Sequence, residues 1–248
     1  MKRKIAYPIK SIWVMGSTST IAKSLCILLA EKGCKTFHLI ARNEYQNNLF
    51  KDLLLKKYNV VVTTELIDLS KEFDTKKFTE LNIGYFDLYF IAAGDMGSNN
   101  LARDDFIEAQ NIVNINFFSL VKWITKITTK KRTSLNSRLW VMSSVAGDRG
   151  RPSNYHYGAA KAGLTNFCEG IMNYCHDKPF KVRIIKAGYI ATKMTLGKAP
   201  RALCAEPEKL AEKLLKKPNK RGIEYFPNWW FLIMFIIKLL PSALIKKL

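Results

Sequence analysis

Short apolar, strand-like runs alternate with longer helical stretches along most of this chain of 248 residues. The strands are predicted at Ile12–Gly16, Thr36–Ala41, Val60–Ile67, Phe86–Ala92, Ser137–Ser143, Lys181–Lys186 and Gly222–Phe226. The main helices are predicted at Thr20–Lys32, Glu44–Tyr58, Asp104–Thr129 and Asn154–Cys175. Strands that alternate with helices build a parallel sheet covered on both faces. The sequence therefore predicts an α/β fold with a doubly wound parallel sheet of about seven strands.

Tyr157 and Lys161 lie four residues apart, and Ser144 precedes them at the end of a strand-like run. Residues at this spacing share one face of a helix, which brings the ammonium of Lys161 close to the phenol of Tyr157. A free phenol has a pKa of about 10, and a nearby cation lowers it. We therefore expect Tyr157 to exchange a proton near pH 7, with Ser144 holding a substrate carbonyl beside it. Taken alone, the pair is also compatible with a packed tyrosine and a solvated lysine.

Three other segments accompany this pair in a fixed order. A Gly/Ser/Thr turn, Gly16-Ser-Thr-Ser-Thr-Ile-Ala22, follows the first strand, Asp68 ends the third, and Ala92-Ala-Gly94 ends the fourth. Together they resemble the short-chain dehydrogenase/reductase family over about residues 11 to 226. The resemblance implies a Rossmann-type fold and an NAD(P)-dependent oxidoreductase that acts on CH–OH or carbonyl groups. The catalytic residues that it implies are Asn116, Ser144, Tyr157 and Lys161.

Each implied catalytic residue has a role in carbonyl reduction. Tyr157 protonates the oxygen of the carbonyl while the nicotinamide gives a hydride to its carbon. Lys161 lowers the pKa of the phenol and binds the nicotinamide ribose, Ser144 polarises the carbonyl, and Asn116 holds a water that relays protons. Ser144 is preferred to Ser143 because the family pattern Ser-x-x-Gly fits Ser144-Val-Ala-Gly147.

The resemblance also implies a set of cofactor contacts. They are Gly16, Ser17, Thr18, Ser19, Thr20, Ile21, Arg42, Asp68, Leu69, Ala92, Ala93, Gly94, Tyr157, Lys161, Ala187, Gly188, Ile190 and Thr192. Thr20 and Ala22 replace two glycines of the family's turn, and Ala187 replaces a proline. NADPH is expected over NAD because Arg42 ends the second strand where NAD-binding relatives carry a carboxylate.

The chain is strongly basic, with forty lysines and arginines against twenty acidic residues and a net charge of +20. A strong positive field attracts polyanions such as nucleic acid or an anionic membrane leaflet. Because no segment resembles a nucleic-acid-reading module, we expect the partner to be a membrane surface and expect no binding of nucleic acid.

The five cysteines lack Cys-x-x-Cys spacing, and we interpret them as reduced thiols of a cytoplasmic protein without a signal peptide. The three histidines have no ligand spacing, and no metal site is expected.

The segment after Pro227 differs in character from the rest of the chain. Trp229–Ile237 contains nine apolar residues in a row, too few for a spanning helix, which needs about 20. We expect a reductase domain at residues 1–227 and a tail at 228–248 that lies in the bilayer interface, on the cytoplasmic face of the cell membrane. The alternative is a final helix packed on the body or in the interface of a homo-oligomer.

The C-terminal pattern is similar to one branch of the family. Thr192-Lys-Met-Thr195, Tyr225-Phe-Pro227-Asn-Trp-Trp230 and Leu240-Pro241 resemble the branch that contains the decaprenylphosphoryl-2-keto-pentose reductases. This likeness implies a keto-sugar on a polyprenyl-phosphate carrier, a role in cell-surface polysaccharide synthesis and a flavin-dependent sugar oxidase as partner. A short Lys193–Glu206 segment, with little material for a lid, fits a large anchored substrate. Alternatives are a fatty-acyl or other lipid ketone, a small soluble ketone, or a dinucleotide-binding scaffold or sensor without turnover.

Overall fold

A computed structural model describes residues 8–71, 75–80, 83–192, 194–195, 197, 200 and 203–246. Its strands are β1 (Ser11–Met15), β2 (Thr36–Ala41), β3 (Val61–Leu66), β4 (Leu88–Ile91), β5 (Arg138–Ser144), β6 (Lys181–Ala187) and β7 (Gly222–Phe226). All neighbouring strands are parallel, in the order β3-β2-β1-β4-β5-β6-β7. The predicted doubly wound sheet is confirmed. The strand order reverses between β1 and β4, and a crevice forms at this point at the carboxyl ends of the strands.

Helices cover both faces of the sheet. They are α1 (Thr20–Glu31), α2 (Glu44–Lys57), α3 (Thr75–Glu80), α4 (Leu101–Asp104), α5 (Phe106–Val113), α6 (Ser119–Ile127), α7 (Lys130–Thr133), α8 (Tyr155–Tyr174), α9 (Pro207–Lys216), α10 (Trp230–Leu239) and α11 (Ser242–Ile245). Alternation along β1 sends Ile12 and Val14 into the core under α1 and α9, and Trp13 and Met15 into the core under α6 and α8. Each face of the sheet thus has its own hydrophobic core.

Two helical segments differ from the sequence-based expectation. The long helix predicted at Asp104–Thr129 is α5 and α6 joined by a π-helical turn at Asn114–Phe118. Such turns are frequent at functional sites, and this one carries Asn116. Helix α9 was not predicted; Pro207 lies in its first turn, and Leu210, Ala211 and Leu214 are its buried face.

The C-terminal segment is packed on the body along one side only. Trp230 and Met234 of α10 are buried against Val145, and Ile245 of α11 is also buried. The opposite side of the two helices remains apolar and exposed, with Phe231, Leu232, Phe235, Ile236, Leu239 and Leu244. Among the described helices, none is long and apolar enough to cross a membrane. The tail therefore has one apolar side in the fold and a second one in solvent.

Candidate active site

A cavity of about 850 Å³ opens at the carboxyl ends of β1, β2, β4, β5 and β6, where the strand order reverses. It brings together most residues of the two predicted sets. Its walls include Gly16, Thr18, Ser19, Thr20, Ile21, Arg42, Asp68, Leu69, Ala92, Ala93, Gly94, Ser144, Tyr157, Lys161, Ala187, Gly188, Ile190 and Thr192. Their convergence follows from the fold, because parallel strands all end at the same edge of the sheet.

The turn after β1 approaches β4 too closely for a side chain. Gly16 has a φ of 86°, and a Cβ on it would lie 2.6 Å from the backbone nitrogen of Ala93. Ser17 is fully buried, and its hydroxyl donates to the carbonyl of Ile40 and contacts Asn47 Oδ1 at 2.6 Å. The side chain of Ser17 is thus turned away from the cavity, and Ser17 is not among the described residues that line it. The turn presents its backbone and the N-terminus of α1 to the cavity, which suits a pyrophosphate.

The other end of the cavity carries two carboxylates and one arginine. Asp68 accepts hydrogen bonds from the backbone and hydroxyl of Ser70, and these bonds hold the pKa of its carboxyl below the usual range. Arg42 forms an exposed ion pair with Asp95, with Nη2 3.0 Å from Oδ2. Both residues of this ion pair line the cavity.

Tyr157 and Lys161 lie in the first two turns of α8. Tyr157 and Lys161 are both buried, and Lys161 Nζ lies 5.7 Å from the centre of the Tyr157 ring. Ser144 is the last residue of β5 and hydrogen-bonds to the Tyr157 phenol. Ser143 also lines the cavity, but its hydroxyl is turned into the core, where it contacts that of Thr165 at 2.6 Å. Ser144 is thus the serine whose hydroxyl is paired with the Tyr157 phenol.

Burial dominates the electrostatics of this pair. It raises the pKa of Tyr157 to about 12, while the hydrogen bond to Ser144 lowers it by less and the charge of Asp95 raises it further. Burial also lowers the pKa of Lys161 to about 8. The expectation that Lys161 would bring the pKa of the phenol toward 7 is wrong in direction. The phenol stays protonated at neutral pH, as a proton donor must.

Asn116 lies behind the cavity wall and does not line it. It is fully buried in the π-helical turn, and its amide nitrogen donates to the carbonyls of Ile112 and Asp95, at 2.8 Å and 2.5 Å. A Cβ on Gly94 would lie 2.9 Å from Asn116 Oδ1 and 3.2 Å from Lys161 Nζ. Gly94 thus lets the amide of Asn116 and the ammonium of Lys161 approach the same point.

Several cavity residues were not found from the sequence. Met142, Tyr189, Arg151, Asn154 and Trp230 also line the cavity. Three of their polar atoms, Arg151 Nε, Asn154 Oδ1 and Trp230 Nε1, are buried and have no hydrogen-bond partner in the described structure. The only sequence signal was the apolar character of the tail, which did not indicate that Trp230 turns inward.

This arrangement is that of a nucleotide-dependent oxidoreductase, and comparison with known proteins gives the family. Residues 10–201 match the family described as short chain dehydrogenase, and the chain belongs to that family of oxidoreductases. Helices α9, α10 and α11 lie beyond the matched region.

Individual relatives agree with this assignment. The chain is 32% identical over 160 residues to an uncharacterized oxidoreductase of Mycobacterium tuberculosis, with 64% of each chain covered. It thus spans less than two thirds of that relative. A 3-oxoacyl-[acyl-carrier-protein] reductase of Chlamydia muridarum is 26% identical over 192 residues, covering 76% of this chain and 77% of that one. A short-chain dehydrogenase from Sphingobium yanoikuyae, solved in complex with NADPH, superposes with a TM-score of 0.77 over 95% of this chain and 98% of that chain, at 15% identity.

Proposed function

We propose that this protein is an NADPH-dependent carbonyl reductase in which Tyr157 protonates the oxygen of a ketone. The observation that carries the proposal is the shared cavity, which has Ser144, Tyr157 and Lys161 on one wall and the turn at Gly16 on another. A nicotinamide cofactor supplies the hydride to the carbonyl carbon when it is bound.

The residues of the site divide the remaining work. The phenol of Tyr157 is neutral at pH 7 and donates its proton as negative charge develops on the oxygen. Ser144 contacts the same phenol and holds the carbonyl oxygen in reach of it. Lys161, whose pKa is about 8, is mostly protonated at pH 7 and stabilises the phenolate that forms. Asn116 supports the Gly94–Asp95 wall beside that ammonium.

The fit of NADPH rests on two features of the cavity. The close approach at Gly16 leaves the backbone of the turn accessible to a pyrophosphate. Arg42 lies at the end of β2, where its guanidinium can bind the 2′-phosphate of NADPH with two hydrogen bonds. The structural relative solved with NADPH supports the same choice.

The outer side of α10 supports attachment to an anionic membrane surface. Leu232, Ile236 and Leu239 lie at helical spacing on this side and are each more than half exposed. The chain carries a net charge of +20, which complements an anionic leaflet. The protein would then lie on the cytoplasmic face of the membrane, with residues 228–248 as its attachment and residues 1–227 as the reductase.

For the substrate we propose a keto-sugar on a polyprenyl-phosphate carrier, formed for cell-surface polysaccharide by a flavin-dependent sugar oxidase. The buried polar atoms of Asn154 and Trp230 have no partner in the described structure, and sugar hydroxyls would supply one. The apolar side of α10 suits the polyprenyl chain. Of the Lys193–Glu206 segment, residues 193, 196, 198–199 and 201–202 lie outside the described residues.

A second candidate is a fatty-acyl ketone. It is favoured by the likeness to the 3-oxoacyl-[acyl-carrier-protein] reductase of Chlamydia muridarum. Its acyl chain would also suit the apolar side of α10, but it has no sugar hydroxyls to bond the buried polar atoms of Asn154 and Trp230. A third alternative is a small soluble ketone, in which case the outer side of α10 would pack in the interface of a homo-oligomer. A fourth is a scaffold or sensor that binds NADPH without turnover.

One experiment separates these substrates. The protein is incubated with NADPH in liposomes that contain a 2-keto polyprenyl-phosphoryl pentose or, separately, a long-chain 3-ketoacyl thioester, and NADPH oxidation is followed. Turnover of the keto-sugar is expected. Efficient turnover of the thioester with none of the sugar would overturn the substrate while leaving the reductase intact. Binding of NADPH with turnover of neither compound nor any soluble ketone would favour the scaffold.

Membrane attachment is tested by substitution, because truncation after Pro227 would also remove Trp230 from the cavity wall. The variant Leu232→Ser/Ile236→Ser/Leu239→Ser removes apolar area from the outer side of α10. The control Leu49→Ser/Leu53→Ser/Leu55→Ser removes exposed leucines from α2. Flotation with phosphatidylglycerol liposomes should be lost in the first variant only. Equal flotation of both variants would contradict the assignment.

A further inference from the structure

A second cavity, of about 480 Å³, lies between the loop that follows β5 and the C-terminal helix α11. Three basic residues line it, Arg149, Arg151 and Lys246, together with Tyr155 and Ser242. No acidic residue is among the described residues that line it. The nearest acid in sequence, Asp148, is paired with Lys186 and accepts a hydrogen bond from Tyr225. The positive charge of this cavity is thus not cancelled from within.

Neither arginine has an acidic partner among the residues that the structure describes. Arg149 Nη2 donates to the carbonyl of Leu240 at 3.3 Å and contacts the Ser242 hydroxyl at 3.5 Å, so it is braced against the turn between α10 and α11. Arg151 Nε is buried and has no hydrogen-bond partner in the described structure. A buried guanidinium nitrogen without a partner is unfavourable unless a ligand supplies an acceptor.

This basic cavity adjoins both the active site and the apolar side of the tail. Arg151 lines the basic cavity and the active-site cavity alike, and Ser153 and Asn154 continue the wall toward Tyr157. On the other side, Arg149 contacts the residue that follows α10, beside exposed Leu239. An apolar surface, a basic cavity and a reducing site therefore follow one another along the molecule.

We propose that the basic cavity binds the phosphate ester of a lipid-anchored substrate, with Arg149 and Arg151 as the principal donors. Guanidinium groups match the tetrahedral oxygens of a phosphate ester through paired hydrogen bonds. The lipid chain then lies along the outer side of α10 and the ketone reaches Tyr157. This inference rests on the proposed reductase function and adds to it the residues that recognise the phosphate of the substrate.

The probe for the test is farnesyl phosphate, with farnesol as the same chain without the phosphate. Binding is measured by calorimetry on the full-length protein, which requires neither NADPH nor turnover. The wild type should bind farnesyl phosphate at least about tenfold more tightly than farnesol, since hydrogen bonds to charged groups are strong. Equal affinity for the two compounds would overturn the proposal.

The double variant Arg149→Gln/Arg151→Gln is expected to lose this preference. Its control, Lys130→Gln/Lys131→Gln, removes the same charge from α7 and should keep the preference. The melting temperature shows whether each variant is folded. If the glutamine pair does not fold, Arg149→Lys/Arg151→Lys keeps the charge without the planar fork and should bind farnesyl phosphate more weakly than the wild type. If a folded variant at Arg149 and Arg151 binds farnesyl phosphate with unchanged affinity, the proposal is contradicted.

Flotation distinguishes a substrate phosphate from the headgroups of the bilayer. Arg149→Gln/Arg151→Gln and its control Lys130→Gln/Lys131→Gln should float equally with phosphatidylglycerol liposomes, because each lacks two positive charges. Loss of flotation in the arginine variant alone, with farnesyl phosphate binding retained, would assign the cavity to bilayer headgroups and overturn the proposal. Because ketone turnover is measured separately, failure of the reductase function and failure of this inference give different results.

Discussion

The indole of Trp230 lies directly over the backbone of Gly188, and a Cβ on Gly188 would fall 1.9 Å from Trp230 Nε1. Gly188 follows β6 and belongs to the cavity wall, whereas Trp230 belongs to α10. The contact therefore joins the cavity wall to the helix whose outer side is apolar and exposed. The glycine at this position is required by the packing of the Trp230 indole.

Gly188→Ala should displace Trp230 and with it α10. We expect a loss of about 1–3 kcal/mol in the free energy of unfolding, as for other overpacked sites, together with weaker turnover. The matched control is Gly170→Ala in α8, where an added Cβ would meet nothing within 4 Å. That control should gain about 0.5–1 kcal/mol, because alanine favours a helix over glycine. Urea unfolding checks both values, and an unaltered Gly188→Ala would contradict the packing described.

The ion pair between Arg42 and Asp95 predicts opposite effects of substitution on NADPH affinity. Arg42→Ala should weaken the binding of NADPH by about tenfold or more and leave the affinity for NADH nearly unchanged, because only NADPH has the 2′-phosphate. Asp95→Asn should tighten NADPH binding, since it removes the competing carboxylate. Fluorescence titration with both cofactors measures the ratio. Equal or tighter binding of NADH by the wild type would refute the NADPH assignment.

The pKa values of Tyr157 and Lys161 predict the pH dependence of the proposed reduction. Lys161, with a pKa of about 8, carries its charge below that pH and loses it above. Tyr157, with a pKa of about 12, remains a proton donor throughout the neutral range. The rate of ketone reduction at saturating NADPH should therefore fall as the pH rises through about 8. A rate that stays constant to pH 9.5 is not compatible with this role for Lys161.

A buried ion pair between β6 and β7, outside the cavity lining, predicts an effect on stability. Arg183 Nε lies 2.5 Å from Glu224 Oε1, and both side chains are almost fully buried. Glu224→Gln should lower the free energy of unfolding by about 3 kcal/mol, because it leaves Arg183 charged without a carboxylate. Glu212→Gln, on the exposed side of α9, serves as the control. Urea unfolding at pH 7 should show the loss in the first variant only.

The same glutamate predicts acid sensitivity. Burial raises the pKa of Glu224, but hydrogen bonds from Arg183 and Lys220 and the nearby positive charges together hold it below its usual value of 4.5. A lowered folded-state pKa contributes stability above the unfolded-state pKa, and this contribution is lost as the pH falls through the folded-state value. The difference in stability between wild type and Glu224→Gln should therefore shrink below about pH 4.5. A difference that stays constant down to pH 3 would contradict it.

Local patterns in the sequence were sufficient for the sheet and for most of the cavity. Gly16, Asp68 and Gly94 each follow a strand, and parallel strands bring such residues to one edge. The direction of the pKa shift of Tyr157 was missed because desolvation depends on packing from distant segments. The position of Trp230 was missed for the same reason, since nine apolar residues do not indicate which side of the helix turns inward. The resemblance implies Ser17 as a cofactor contact together with its neighbours in the turn, but in the structure its hydroxyl bonds to Asn47 of α2.

Tyr157 is the proposed proton donor, and Tyr157→Phe removes that proton from the cavity. The substitution removes only the phenolic hydroxyl, and Tyr174→Phe removes an exposed one from the same helix. The measurement is NADPH oxidation with saturating ketone, together with NADPH affinity and melting temperature. We expect Tyr157→Phe to lose about 10²–10⁴-fold in turnover, the usual contribution of a positioned acid. Its NADPH affinity and melting temperature should stay near those of the wild type, and Tyr174→Phe should be active. Near-normal turnover by Tyr157→Phe would contradict the account.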